Sequence, residues 1–142
     1  MRLKDCHGFS DFRELARRRL PSPIFNYIDG AADDETTYDR NTKSFEECDL
    51  IPNVLRGVEN IDMSVTIMGQ KLDMPIYCSP TALQRVFHHS GEHAVAAAAD
   101  KFGTMFGVSS LGTVSLTEVR EQYSGPQCYQ FYFHKDRGLN QV

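Results

Sequence analysis

Apolar residues recur at helical spacing in the first third of the chain, and as short continuous runs in the second half, so the period of the pattern changes near Ser64. Phe12, Leu15, Ala16 and Leu20 share one helix face and leave the Arg17-Arg18-Arg19 run on the other. Asp11 followed by Glu14 has the form of a capping box at the start of this helix, and Pro21 stops it. Ser22-Pro23 supply an N-cap and a proline at the first helical position for a short helix, Ile24 to Ile28, that Gly30 closes. A third helix is predicted from Asp33 to Phe45, with Asp33, Asp34 and Glu35 in its first turn, where the macrodipole favours negative charge.

Ile51-Pro52-Asn53-Val54-Leu55 reads as an extended connection. Val65-Thr66-Ile67 and Lys71-Leu72 flank Met68-Gly69-Gln70 as the arms of a small hairpin. Three apolar runs with strand character follow: Met74 to Ser79, Thr104 to Val108, and Cys128 to Phe133. An alanine-rich helix from Glu92 to Phe102, ended by Gly103, separates the first two runs. A helix opened by the capping box Ser115-x-x-Glu118 separates the second from the third. Strand, loop and helix in repetition predict βα units on a parallel sheet, hence the α/β class. The chain therefore divides into a helical segment with its extended connection, 1–63, and a hairpin with the first βα units, 64–142.

With 41% hydrophobic and 24% charged residues, the 142-residue chain has the composition of a soluble globular protein. No run approaches the roughly 18 apolar residues of a membrane span, and MRLKDCHGFSDF lacks the apolar stretch of a secretory signal. A cytoplasmic location is expected; the arginine-rich helix face leaves a peripheral contact with the inner face of the membrane open. Fifteen basic against nineteen acidic residues, net −4, give no electrostatic footprint for nucleic acid. Cys6, Cys48, Cys78 and Cys128 form no C-x-x-C pair and are read as reduced thiols, with Cys78 and Cys128 buried in apolar runs. His89 and His93 are four apart with Glu92 beside them, but the spacing is not H-E-x-x-H and no further ligand completes a site, so no metal is expected. His134 follows the third run and is read as a surface residue.

Parallel α/β folds bind ligands at the carboxyl ends of their strands, in the loops leading into the helices. Here those loops are Ser79-Pro80-Thr81-Ala82, Ser109-Ser110-Leu111-Gly112-Thr113, and the end of the third run at Gln130 and Tyr132. Small residues let backbone amides approach a planar ligand, and the Ser109 hydroxyl and Gln130 amide suit ring heteroatoms.

Several segments in order and at matching spacing resemble the FMN-dependent 2-hydroxy acid dehydrogenases and oxidases, the group of L-lactate dehydrogenase and glycolate oxidase. They are Tyr27 with Asp29-Gly30-Ala31-Ala32-Asp33-Asp34-Glu35-Thr36-Thr37 and Asn41, Met74-Pro75-Ile76 into Ser79-Pro80-Thr81-Ala82, Gly91-Glu92, Ser109-Ser110, and Gln130-Phe131-Tyr132 with Lys135-Asp136-Arg137. The resemblance implies N-terminal helices followed by the first three βα units of a (β/α)₈ barrel, which complete takes roughly 200 residues or more, so the chain is expected to be a truncated part of such an enzyme. It also implies FMN as cofactor, a small 2-hydroxy acid as substrate, a separate electron acceptor, and a homo-oligomer at full length.

By the same resemblance Pro80, Thr81, Ala82, Ser109 and Gln130 contact the flavin, and Tyr27 and Tyr132 direct phenolic hydroxyls at the substrate. No catalytic residue is expected in this chain, since the family's histidine base, its aspartate partner, the arginines that bind the substrate carboxylate and a lysine near the flavin all lie beyond the position matching Val142. Leu111 stands where glycolate-oxidase-like members have tryptophan, and Asn53 where the family often has arginine. Tyr27-Ile28-Asp29-Gly30 resembles the bacterial lactate dehydrogenases more than the glycolate oxidases, which favours lactate.

Overall fold

In the computed structural model, which describes residues 2–140, the chain forms two units that meet between Glu59 and Asn60. Val142, where the third unit of the sequence-based expectation ends, lies outside the described residues.

The first unit is helical. Helix α1 runs Phe9–Arg19 and buries Leu15, while Phe12 is exposed although it falls on the apolar face of the pattern. The helix starts two residues before Asp11: Gly8 is the N-cap, and Asp11, in the third helical position, accepts the backbone N–H groups of His7 (2.9 Å) and Gly8 (3.1 Å). A carboxylate one turn in reaches back to orphan amides as well as one placed before the helix. Glu14, freed from capping, pairs with Arg17 and Arg18 at 2.9 and 2.8 Å.

Helix α2, Ser22–Asp29, is capped by Pro21, not Ser22: Pro21 has extended backbone (φ −56°, ψ 139°), and its carbonyl accepts from Ile24 and Phe25. Asp29 closes a bidentate pair with Arg13 of α1 at 2.6 and 2.9 Å. Helix α3, Thr36–Glu46, begins three residues later than the pattern suggests, because Asp33 and Glu35 adopt positive φ (51° and 56°) in the preceding turn. Positive φ cannot belong to a right-handed helix, so the acidic run forms the turn and not the first helical turn.

The second unit opens with the expected hairpin, β1 (Val65–Ile67) paired antiparallel with β2 (Gln70–Leu72). Its two-residue turn has Met68 at φ 49° and Gly69 at φ 75°, positive at both positions as in the turn whose twist matches the flanking strands. After α4 (Gln84–Phe87) and α5 (Gly91–Lys101) come β3 (Phe106–Ser109), α6 (Leu116–Gln122) and β4 (Gln127–Gln130). Strands β3 and β4 are parallel, in the register Phe106↔Gln127 to Ser109↔Gln130. Ser115 caps α6, its hydroxyl accepting the Glu118 N–H at 3.1 Å as the capping box predicts. Ala96 and Ala99 of α5, Phe106 and Val108 of β3, Val114, and Val119 of α6 form the core.

All three predicted strands are shorter than the apolar runs, the second beginning at Phe106 and not at Thr104. Met74 to Ser79 makes one parallel bridge, Cys78 to Phe106, in which Cys78 donates to Met105 O (3.0 Å) and Gly107 donates to Cys78 O (2.7 Å). Pro75 has no N–H for a ladder, and the Ile76 carbonyl is taken by the Thr104 hydroxyl. The third run stops pairing at Gln130 because its partner β3 ends at Ser109; Phe131 to Phe133 continue exposed. Cys78 and Cys128 are partly buried, and the four cysteines are free thiols.

Candidate functional site

The parallel register sets Ser109 and Gln130 level at the carboxyl ends of β3 and β4. Gln130 Oε1 accepts from Ser109 Oγ (3.4 Å), the Ser110 N–H (3.3 Å) and Ser110 Oγ (3.3 Å). A backbone N–H can only donate, so the atom it faces is oxygen and the orientation of the Gln130 amide is fixed. Its Nε2 donates to no described residue. Ser109, 8% exposed, spends its proton on Gln130 and accepts the Leu111 N–H at 3.1 Å.

The neighbouring loop is held against β3 by close backbone packing. A Cβ on Gly107 would lie 2.6 Å from Pro80 Cδ and 2.7 Å from Pro80 N, so only glycine lets the strand approach Pro80 this closely. Thr81 and Ala82 are half-buried and Pro80 is exposed. The Thr81 carbonyl accepts from Gln84 Nε2 (3.2 Å), and Leu83 donates to Leu111 O (3.1 Å), which ties this loop to the one after β3.

Five of the seven residues singled out from the sequence therefore occupy adjoining strand ends: Pro80, Thr81, Ala82, Ser109 and Gln130. Tyr132 lies two residues beyond β4, 59% exposed. Tyr27 belongs to α2 in the helical unit and is 64% exposed.

Glu92 emerges here with a role that the sequence pattern did not suggest. It is completely buried at the start of α5, and its carboxylate accepts the Thr113 N–H (2.7 Å) and the Thr113 hydroxyl (2.6 Å). Burial pushes its carboxyl up, but the Thr113 hydroxyl and amide, with the backbone amides of Glu92 and Gln84, outweigh it and hold the carboxyl below the usual glutamate value. The available signal was a Gly-Glu pair opening a helix, followed one strand later by a loop rich in hydroxyls and glycine.

The histidines are used differently. His93 Nε2 lies 3.0 Å from Glu118 Oε1, its Nδ1 is buried without a partner among the described residues, and His89 stacks on His88 with ring centroids 4.3 Å apart. Among the described residues no three His, Cys, Asp or Glu side chains are grouped to hold a metal ion.

The model of the FMN-dependent dehydrogenase family matches residues 16–142. The chain is 37% identical over 130 residues to glycolate oxidase of Spinacia oleracea, covering 92% of this chain and 35% of that protein. It is 40% identical over 130 residues to an L-lactate dehydrogenase of Xanthobacter autotrophicus, covering 92% of this chain and 34% of that one. It thus spans about a third of the length of these relatives. Among solved structures, mandelate oxidase with 3,3-difluoro-2-hydroxy-3-phenylpropionic acid superposes with a TM-score of 0.85 at 32% identity, over 92% of this chain and 39% of that one. A soluble mutant of the membrane-associated (S)-mandelate dehydrogenase of Pseudomonas putida gives a TM-score of 0.80 at 30% identity, over 87% of this chain and 35% of that one. The chain belongs to the FMN-dependent dehydrogenase family.

Proposed function

We propose that the protein is part of an FMN-dependent oxidoreductase that converts a small L-2-hydroxy acid, with L-lactate the favoured substrate, to the 2-oxo acid and passes the electrons to a separate acceptor. The observation that carries the proposal is the convergence of Ser109, Gln130 and the Pro80–Ala82 loop at adjoining carboxyl ends of parallel chain segments, where α/β folds bind ligands. In this account β3, β4 and the Cys78 segment are the first strands of a (β/α)₈ barrel, and the assembled enzyme is a homo-oligomer.

The donor set fits a flavin ring. Gln130 is oriented by Ser110 so that its Nε2, which donates to no described residue, is left for a ligand, and the small residues of the Pro80–Ala82 loop leave backbone open to a planar ligand. FMN, when bound, supplies the two-electron acceptor. Pro80, Thr81 and Ala82 line the ring, and Ser109 and Gln130 fix its orientation. The exposed phenol of Tyr132 donates a hydrogen bond to the substrate, to its carboxylate or to the 2-oxygen as charge develops there, and the same role is proposed for Tyr27 on the family resemblance alone. No residue of the chain is assigned as the proton-abstracting base.

Support for lactate comes from Tyr27-Ile28-Asp29-Gly30 and from the 40% identity to an L-lactate dehydrogenase. No helix among the described residues is long and apolar enough to cross a membrane. A cytoplasmic location with peripheral membrane contact is proposed from the arginine run of α1 and the likeness to a membrane-associated dehydrogenase.

Anaerobic addition of L-lactate to the FMN-loaded protein, expressed from its natural reading frame, should bleach the flavin band near the visible maximum, and faster than glycolate or mandelate does. Bleaching by none of the three acids counts against the activity, and a faster response to another acid counts against lactate. A second reading, in which the 142-residue chain by itself is non-catalytic, is favoured by its covering only 35% of glycolate oxidase. Assayed alone, this chain is expected to leave L-lactate unoxidised.

A further inference from the structure

We infer that Glu92 is a positioning residue for the flavin: its buried carboxylate locks the loop after β3 and the loop before α4 into one surface at the strand ends, and so sets where Ser109 stands. The inference rests on the reading of these loops as the flavin's ring-side contacts.

The contacts form a closed relay. Glu92 accepts both the N–H and the hydroxyl of Thr113, at 2.7 and 2.6 Å. The same hydroxyl, having donated to Glu92, accepts the backbone N–H of Arg85 at 3.2 Å. Leu83, two residues earlier, donates to Leu111 O at 3.1 Å. One carboxylate on α5 therefore orders Thr113 on the loop after β3 and, through its hydroxyl, Arg85 in the first turn of α4, into which the Pro80–Ala82 loop leads.

Space around the relay is tight. A Cβ on Gly112 would lie 3.1 Å from Ser109 O, 3.2 Å from Val114 O and 3.4 Å from Glu92 Oε1, so the loop has little room to settle elsewhere. A Cβ on Gly91 would meet the Arg85 side chain at 2.6 Å and the Thr113 hydroxyl at 3.4 Å, which seats the start of α5 directly under both loops. Glu92 lies in the first turn of α5, where the helix dipole favours its charge. Such a buried anion is retained at a cost unless every lone pair is used, and here Thr113 engages both oxygens. His93, next in sequence, is committed to Glu118 and not to this relay.

Glutamine at position 92 keeps the shape but puts an NH2 group where one of the two carboxylate oxygens stood, and that nitrogen cannot accept the Thr113 hydrogen it faces. The test uses the protein expressed from its natural reading frame. FMN affinity is measured by flavin fluorescence, the bound-flavin absorption and circular dichroism bands are recorded, and amide exchange is followed at residues 109–113. E92Q should weaken FMN binding about tenfold, shift the bound-flavin bands, and speed exchange of the Thr113 amide. Thr113→Val should do the same to a lesser degree, Thr113→Ser should restore the wild-type values, and the double variant E92Q/T113V should be no worse than E92Q alone.

If E92Q fails to fold, the Thr113→Val and Thr113→Ser pair carries the same test. Wild-type affinity and bands in E92Q or, should that variant not fold, in T113V would overturn the inference while leaving the flavin reading intact. Failure of the wild-type protein to take up FMN would overturn the flavin reading itself, and the inference with it.

Discussion

Glu92 and Asp29 show how differently two carboxylates contribute. Asp29 is held low by the Arg13 guanidinium, but that pair is open to solvent and screened by it, so breaking it should change stability little. Glu92 is fully buried, and its carboxyl lies below the usual glutamate value because Thr113 and nearby amides favour the charged form over the opposing effect of burial. With the folded value below the unfolded one, its contribution is complete above the ordinary glutamate range and is lost as pH falls through the folded value. Urea denaturation as a function of pH should therefore show a steeper acid loss in the wild type than in E92Q, and E92Q should be less stable at neutral pH by about 1–3 kcal/mol. Parallel pH profiles for the two proteins would mean that the carboxylate carries no such linkage. The sequence pattern singled out Ser109 and Gln130 because hydroxyl and amide groups at strand ends have an evident use. It noted Glu92 only within Gly91-Glu92 and beside His89 and His93 and gave it no role, because the Thr113 loop that covers it is one strand away in sequence.

At the scale of elements, local chemistry was readable wherever one residue type decides the conformation. Met68-Gly69 fixed the hairpin turn, Ser115 and Glu118 fixed the start of α6, and Gly103, at φ 61°, ends the turn after α5. Starts of α1, α2 and α3 were misplaced by one to three residues, because Asp11, Ser22 and Asp33 each have more than one way to serve a helix end. The Met74–Ser79 run shows a different limit. Its apolar pattern suits a strand, but pairing depends on a partner in register, and only Cys78 finds one. Gly107 is the point where that segment touches β3, and Gly107→Ala would drive a methyl group into Pro80. The substitution should destabilise the second unit by about 1–3 kcal/mol, read as a lower denaturation midpoint with unchanged slope. An unaffected midpoint would show that the Pro80 loop moves aside freely.

For the molecule as a whole, the change of period near Ser64 marked the passage from helices to βα structure, and the parallel pairing of β3 with β4 fulfils the α/β expectation. Barrel closure was not readable from periodicity, which reports only local elements; it entered through resemblance to a family whose members are about three times longer than this chain. What links the residues, the elements and the family is the surface at the strand ends. The most direct test is a fluorescence titration of FMN into the protein expressed from its natural reading frame, beside the same titration with Gln130→Leu. The account predicts saturable uptake of one FMN per chain, with quenched flavin fluorescence and binding weakened about tenfold in the variant, the order expected for one hydrogen bond lost at a partly buried site. A wild-type protein that stays colourless and takes up no FMN, or binds it no better than Gln130→Leu does, would contradict it.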